Sequence, residues 1–285
     1  MRGIVCSEND VGNVKIAKRP GDLVHRLWFV ALSAVSFAAG CSGGGGGNGG
    51  SSTQPLVTQS AGGIWHGTST NNETLTLFVA ETGDLRSLES VGAPPTTPPL
   101  FGSGAVLVTG DRLDGAYDTG RPFSATSSHC TFTGSVRERA SMSLTMECTD
   151  DTGAKTSSTH VLHYDTAYSA VSSLAKVAGN YEVTAVADNF LNIDGNGVIF
   201  GHYHNGADCT VNGTVAVIDS RYNLYQVEWQ LSLCQAPLVQ FEGATMTGFA
   251  YEPYPATSPG SMLLLLTGLV NGRIDGLSLL YTLAQ

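Results

Sequence analysis

Tyr225-Gln-Val-Glu-Trp-Gln-Leu-Ser-Leu-Cys234 puts an apolar side chain at every second position from Val227 to Leu233. Val227, Trp229, Leu231 and Leu233 therefore share one face, and Glu228, Gln230 and Ser232 share the other, which is the period of a half-buried β-strand. A helix would scatter these residues around its circumference. The segment reads as a strand with one wall against a core.

Working outward, the same signature recurs. Strands are expected over Thr74–Ala80, Gly104–Thr109, Cys130–Val136, Ser141–Cys148 and Thr159–Tyr164, then over Tyr181–Val186, Val198–Tyr203, Cys209–Val217, Thr245–Tyr251, Met262–Leu269 and Gly276–Leu283. Gly, Asn and Asp turns separate them, as in antiparallel all-β proteins. Met262–Leu266 is apolar without interruption and too short to cross a membrane as a helix, so it reads as a strand buried on both faces.

An internal repeat organises these strands. Cys130-Thr-Phe-Thr-Gly134-Ser-Val136 matches Cys209-Thr-Val-Asn-Gly213-Thr-Val215, and each leads into a strand ending at a second cysteine. Gly63-Ile-Trp65 and Gly179-Asn-Tyr181 open the two copies, each with an aromatic residue placed to plug one end of a small barrel. Copy one is longer, and Asp84–Ser128, with its Pro94-Pro95-Thr-Thr-Pro98-Pro99 loop, reads as an insert. Ser169–Ala178 between the copies reads as a connecting helix, with Ser169 as cap, Lys176 in its last turn and Gly179 beyond its end. The expected fold is all-β: two related antiparallel units (small barrel or sandwich, calycin-like) over 63–168 and 179–285, joined by a short helix over 169–178.

Four cysteines follow Cys41, and an even number in an exported chain reads as two disulfides. Three pairings are open; the repeat favours Cys130 with Cys148 and Cys209 with Cys234. No C-x-x-C spacing suggests a metal site among them.

Upstream, residues 42–62 are rich in Gly and Ser and read, with Cys41, as a flexible tether over 41–62. Before it, Lys15, Lys18, Arg19 and Arg26 precede an apolar run over Leu27–Ala39, the layout of an export signal over 1–40. Cys6, Glu8, Asp10 and Asp22 suit a signal poorly, so residues 1–23 read as an upstream extension, with translation starting at Val24. Five of the 14 basic residues (Arg2, Lys15, Lys18, Arg19, Arg26) and three of the 24 acids (Glu8, Asp10, Asp22) precede Cys41. Nine basic residues then face 21 acids, which argues against a nucleic-acid partner.

Phe37-Ala38-Ala39-Gly40-Cys41 resembles the lipobox of bacterial lipoproteins, although Ala38 stands where that family prefers leucine. The resemblance implies cleavage before Cys41, diacylglycerol on its thiol and acylation of its amine; an ordinary secretory cleavage after an A-x-A-like site is the alternative. Ser42 after the cysteine implies sorting to the outer membrane, on a face the sequence leaves open. Tyr164-Asp-Thr-Ala-Tyr168, Ser173-Leu174-Ala175, Cys209-Thr-Val-Asn-Gly213 and Tyr222-Asn-Leu-Tyr225 resemble a group of uncharacterised glycine-linked lipoproteins of proteobacteria, which brings no site residues. A looser likeness of architecture is to surface lipoproteins that bind host proteins through small β-barrels.

Candidate sites are few. His202 and His204 are two apart, so on a strand both imidazoles face one way, with Asp208 nearby as a third metal ligand. His160 and His163, three apart, face opposite sides. Asn192-Ile-Asp194-Gly-Asn196-Gly197 resembles part of a calcium loop, but Tyr203 stands at the twelfth position, and a hairpin turn explains it better. Tyr222, Tyr225, Trp229, Phe249 and Tyr251 read mainly as core, and Tyr254 as a loop anchor. Gly-x-Ser-x-Gly, H-E-x-x-H and P-loop motifs are absent, and nothing places Glu228 and Glu242 as a glycosidase pair. The expected function is a membrane-anchored, non-enzymatic envelope module without cofactor, meeting a protein or glycan partner through Asp84–Ser128 and Ala250–Gly260. The alternatives are a calycin-like carrier of a small apolar ligand and an envelope hydrolase.

Overall fold

The computed structural model describes residues 58–91, 98–122, 126–183, 188–253 and 260–284. The expectations placed on the signal, on Cys41, on most of the tether and on Tyr254 fall outside them.

Among the described residues, sixteen antiparallel strands form two closed eight-stranded barrels. Barrel 1 runs β1 (Gly63–Ser69), β2 (Glu73–Val79), β3 (Asp84–Val91), β4 (Leu100–Thr109), β5 (Arg112–Gly120), β6 (Ser127–Arg137), β7 (Ser141–Asp150) and β8 (Lys155–Tyr164), and β8 pairs back onto β1. Barrel 2 runs β9 (Gly179–Glu182), β10 (Phe190–Ile193), β11 (Val198–His204), β12 (Asp208–Val217), β13 (Tyr225–Ser232), β14 (Thr245–Tyr251), β15 (Ser261–Val270) and β16 (Arg273–Leu283), closed by β16 on β9. Barrel 2 closes through two residue pairs among the described residues, Thr282 with Glu182 and Leu283 with Tyr181. The all-β expectation of two related units is met as two barrels.

Alternation decides which side chains enter each lumen. In barrel 1, Trp65, Leu75, Leu77, Leu85, Leu113, Phe132, Leu144 and Leu162 are nearly fully buried in one cluster. In barrel 2, Leu191, Val211, Val227, Trp229, Leu231, Leu264, Leu266 and Tyr281 do the same. The outer walls of β7 and β8 carry Ser143, Thr145, Glu147, Lys155, Ser157, Thr159 and His163, all exposed. Around β7 and β8 the apolar lumen lies inside a mostly polar wall, broken by exposed Val161; a lipid-facing barrel turns its apolar residues outward. Among the described residues no helix is long and apolar enough to cross a membrane.

The cysteines pair as the repeat favoured, Cys130 with Cys148 and Cys209 with Cys234. Cys130 and Cys148 are directly opposed in the β6–β7 register. The cysteine repeat and the barrel repeat do not coincide, however. Cys130 lies on the sixth strand of its barrel and Cys209 on the fourth of the other, whereas Gly63 and Gly179 both open a first strand.

Two expectations need correction. Asp84–Ser128 is no insert: it supplies β3, β4 and β5, integral to barrel 1. Nor is Ser169–Ala178 one helix. Thr166–Ser169 is a 3₁₀ turn capped by the Asp165 carboxylate, and only Leu174–Val177 is α-helical. Barrel 2 satisfies the backbone between them: Ser172 N donates to Ser220 O at 3.1 Å, and Ser173 N to the Tyr225 hydroxyl at 3.2 Å. A segment whose amides are bonded to a neighbouring wall has no need of its own helical ladder.

The barrels press together along a third apolar cluster. Ile64, Phe78 and Phe101 from barrel 1 meet Phe249, Tyr251 and Leu265 from barrel 2, with Tyr168 and Leu224 from the connections. Met262–Leu266 is thus buried on both faces, with Met262, Leu264 and Leu266 in the lumen and Leu265 in the seam. Arg86 spans the seam: its Nη2 donates to Thr247 Oγ1 at 3.1 Å, and its guanidinium lies 5.5 Å from the Phe249 ring centroid.

Candidate functional site

His202, His204 and Asp208 come together at the β11–β12 hairpin, where His204 and Asp208 are paired. His204 Nδ1 donates to Asp208 Oδ1 at 2.6 Å, His202 Nε2 lies 3.7 Å from the same oxygen, and His202 Nδ1 donates to Asp188 O at 2.7 Å. Phe190 stacks on the His202 ring at 6.1 Å. His204 is thus hydrogen-bonded to the carboxylate, while His202 Nε2 stands beyond hydrogen-bond distance of it. Among the described residues no group of three or more His, Cys, Asp and Glu side chains is arranged to hold a metal ion.

The calcium-like stretch is a β10–β11 turn. Asp194 Oδ1 accepts from Asn196 N and Val198 N, each at 2.8 Å, and Gly197 adopts φ +83°. Asp150 does the same at the β7–β8 turn, accepting from Thr152 N and Ala154 N.

The most chemically distinctive place is one that no motif marked: the inner rim of barrel 1, at the end holding the β1–β2 and β7–β8 hairpins. Glu73, Glu89 and His160 all occupy lumen-facing positions, in phase with Leu75, Ser87 and Leu162. Ser69 joins them. It pairs with His160 across β1–β8, and its hydroxyl donates to Glu73 Oε2 at 3.1 Å. Glu89 faces Leu75 across β2–β3, two residue pairs in from Glu73, so the two carboxylates are diagonal neighbours on one face.

Charge in this apolar setting is costly, and the rim shows it. Burial, aided by Glu73, pushes the Glu89 carboxyl up to about 7, while Arg121 acts in the opposite direction. Burial lowers the His160 pKa, with Glu73 opposing, and favours the neutral imidazole. Burial and then Glu89 raise the Tyr117 hydroxyl well above its ordinary range; it donates to Met146 Sδ at 2.7 Å. His160 is fully buried; its Nε2 lies 2.9 Å from Ser158 Oγ, and its Nδ1 has no partner.

At the opposite end of barrel 1, residues expected to be tether are docked. Gln59 N donates to Gly110 O, Ser60 Oγ donates to Glu81 Oε2 at 2.5 Å, and Glu138 N donates to Gln59 Oε1 at 2.7 Å. A cavity of about 350 Å³ lies there, lined by Ala61, Glu81, Val106 and Glu138. Along the seam, Tyr168 stacks on Tyr222 at 4.9 Å, and Tyr222 is flanked by the guanidinium groups of Arg139 and Arg221 at 5.2 and 5.3 Å. A second cleft, of about 540 Å³, opens between the barrels at Asp118, His129, Asp151, Leu269 and Arg273.

No family model and no curated protein matches this chain. Among solved structures, it resembles a Bacteroides fragilis protein provisionally named as an outer membrane protein, at 10% identity and a TM-score of 0.21. That likeness covers 81% of this chain and 98% of the other, and is too distant to argue from.

The sequence pattern separated inward His160 from outward His163, as the structure does. It missed Glu73 and Glu89 as partners of His160, because only closure of β8 onto β1 brings the first and last strands together. Lumen-phase acids flanking Leu75 and Ser87 were the available signal. Tyr225, Trp229, Phe249 and Tyr251 are core, as their alternation indicated, and Ala250–Tyr251 is the buried end of β14.

Proposed function

We propose that this chain is a lipid-anchored protein of the bacterial envelope, held through Cys41 and acting as a non-enzymatic interaction module for a protein or glycan partner. The observation that carries the reading is the filling of both lumens by side chains, Trp65 with Leu75 and Phe132 in one, Trp229 with Leu231 and Tyr281 in the other. An apolar cargo has no room in lumens packed this way, which favours recognition on the outer surface over the carrier alternative. The seam supports the same view, since Arg86, Phe101 and Phe249 pack the two barrels against each other.

The outer wall of β10 and β11 is the best contact surface. Phe190, Val198 and Phe200 are 42%, 50% and 53% exposed and lie on the same face of two paired strands, with His202 beside them; Leu107, Val161, Leu269 and Leu280 are exposed elsewhere on the barrel walls, and what sets this place apart is its two aromatic rings. Aromatic side chains of this kind anchor protein partners and stack on sugar rings alike.

The test combines Cys41→Ala with protease shaving of intact cells. Loss of membrane association in the variant, with acyl chains found on Cys41 of the parent, supports the anchor; an unmodified parent overturns it. Cleavage on intact cells directs the partner search outside, and protection until the outer membrane is opened directs it to the periplasm. Unchanged partner capture by Phe190→Ser/Phe200→Ser removes the β10–β11 wall as the contact.

A further inference from the structure

We propose that the inner rim of barrel 1 is a binding site for a small primary ammonium ion, held by Glu73, Glu89 and His160. The inference stands apart from the envelope reading and does not depend on the anchor.

The rim brings together acceptors with too few donors. Glu73 takes one hydrogen bond from Ser69, at 3.1 Å. Glu89 is only 9% exposed, on the lumen-facing side of β3. His160 is fully buried beside Ser69, and its Nδ1 has no hydrogen-bond partner. In the tautomer that gives its Nε2 hydrogen to Ser158 Oγ, the imidazole carries a lone pair on its unpartnered Nδ1. A buried acceptor without a donor is costly, and two carboxylates beside it add to the cost. A ligand with positive charge and several N–H groups would offset all three.

An ammonium group offers three N–H donors on one centre, one for each carboxylate and one for Nδ1. Its hydrogen bonds span about 2.7–3.2 Å, longer than the about 2.0–2.2 Å bonds a zinc ion forms with nitrogen or oxygen. That difference suits the rim, whose side chains do not converge into a metal-binding group. Leu75, Phe132 and Met146 close the lumen below, so the head is small and any alkyl tail points out of the mouth. The raised pKa of Glu89 agrees, because a bound cation would restore its ionised form.

The experiment is a titration of the purified, disulfide-intact protein by two-dimensional NMR with ethylammonium chloride, against tetramethylammonium chloride and sodium chloride at matched ionic strength. Saturable shifts of the Glu73, Glu89 and His160 amides with ethylammonium alone are expected, because tetramethylammonium has the charge but no N–H. Glu89→Gln and His160→Leu should each weaken the effect at least tenfold, with the fold checked by intact disulfides and unchanged amide dispersion. If either variant fails to fold, the other carries the comparison; if both fail, the contrast between the two ammonium ions decides. Absence of saturable shifts, an equal response to tetramethylammonium, affinity unchanged in the folded variants, or saturation by Zn²⁺ with ethylammonium silent would each overturn the proposal.

Discussion

Trp65 and Tyr181 hold equivalent places in the two barrels, each reaching back four residues to a backbone carbonyl. Trp65 Nε1 donates to Ala61 O at 2.9 Å, and the Tyr181 hydroxyl donates to Val177 O at 3.1 Å. Each is the third residue of a first strand opened by glycine, and each is almost wholly buried. The donor lets a large ring seal the end of a lumen without stranding a polar atom, and ties the incoming chain to the barrel it enters. This shared device, rather than the cysteine pattern, marks where each unit begins.

Truncating either plug should therefore be costly. Trp65→Ala removes a fully buried ring that also packs edge-on to Tyr164 at 5.3 Å, and is expected to lose about 3–5 kcal/mol. Tyr181→Phe keeps the ring and leaves Val177 O without that donor, for a loss of about 1 kcal/mol. Urea unfolding followed by tryptophan fluorescence measures both. A loss under 1 kcal/mol for Trp65→Ala would show that the ring does not seal the lumen.

The disulfides act at different depths in the two units. Cys130–Cys148 staples two adjacent strands already in register and closes 18 residues; Cys209–Cys234 closes 25 and reaches past the end of β13. Chain entropy assigns each a contribution of about 3 kcal/mol. Replacing both cysteines of a pair by alanine should lower stability by that amount for either pair. Denaturation of the two double variants against the parent, in urea without reductant, checks it; a pair whose removal costs nothing contradicts the loop-closure account.

How much of this was legible in the sequence depends on which side chain fills the space. Tyr225–Leu231 and Met262–Leu266 declared themselves because their own residues carry the core; Leu233, expected on the same face, lies past the end of β13 with φ +53° and is 77% exposed. In the stretch forming β3 to β5 only Gly104–Thr109 read as a strand, because the lumen positions include Gly102, Gly104 and Gly115. There the volume is supplied by neighbouring strands: a Cβ on Gly115 would sit 2.2 Å from Phe132 Cζ, and one on Gly104 2.5 Å from Tyr117 Cβ. Large-for-small compensation between strands is invisible when each is read alone. The rim acids hid for a related reason, since Glu89 breaks the apolar alternation at the place where it faces the lumen.

The seam makes its own prediction. Gly120 lies where barrel 1 touches β16, and a Cβ there would sit 2.2 Å from the Ile274 carbonyl oxygen, a backbone atom that cannot swing aside. Gly120→Val should therefore part the barrels locally, cost about 1–3 kcal/mol and loosen their coupling. The expected signs are a larger radius of gyration in solution scattering and a thermal transition that broadens or splits in two. An unchanged single transition and radius would mean that the seam yields more easily than its packing indicates.

The pH dependence of stability follows from Glu89. Its carboxyl is raised from 4.5 to about 7 in the folded chain, so between those values the folded state holds a proton that the unfolded state has released. A raised carboxylate pKa stabilises most below the unfolded value, and that advantage drains away as pH climbs through the folded one. Unfolding free energy is therefore expected to fall from about pH 4.5 to pH 7, with an upper bound on the order of 3 kcal/mol from this group. Glu89→Gln keeps the shape and carries no titrating proton, so the variant should lack this decline and match or exceed the parent at pH 8. Urea midpoints at pH 4.5, 6, 7 and 8 for both proteins measure the difference. Parallel curves would show that Glu89 is ionised in the folded barrel and that the rim admits more water than its burial implies.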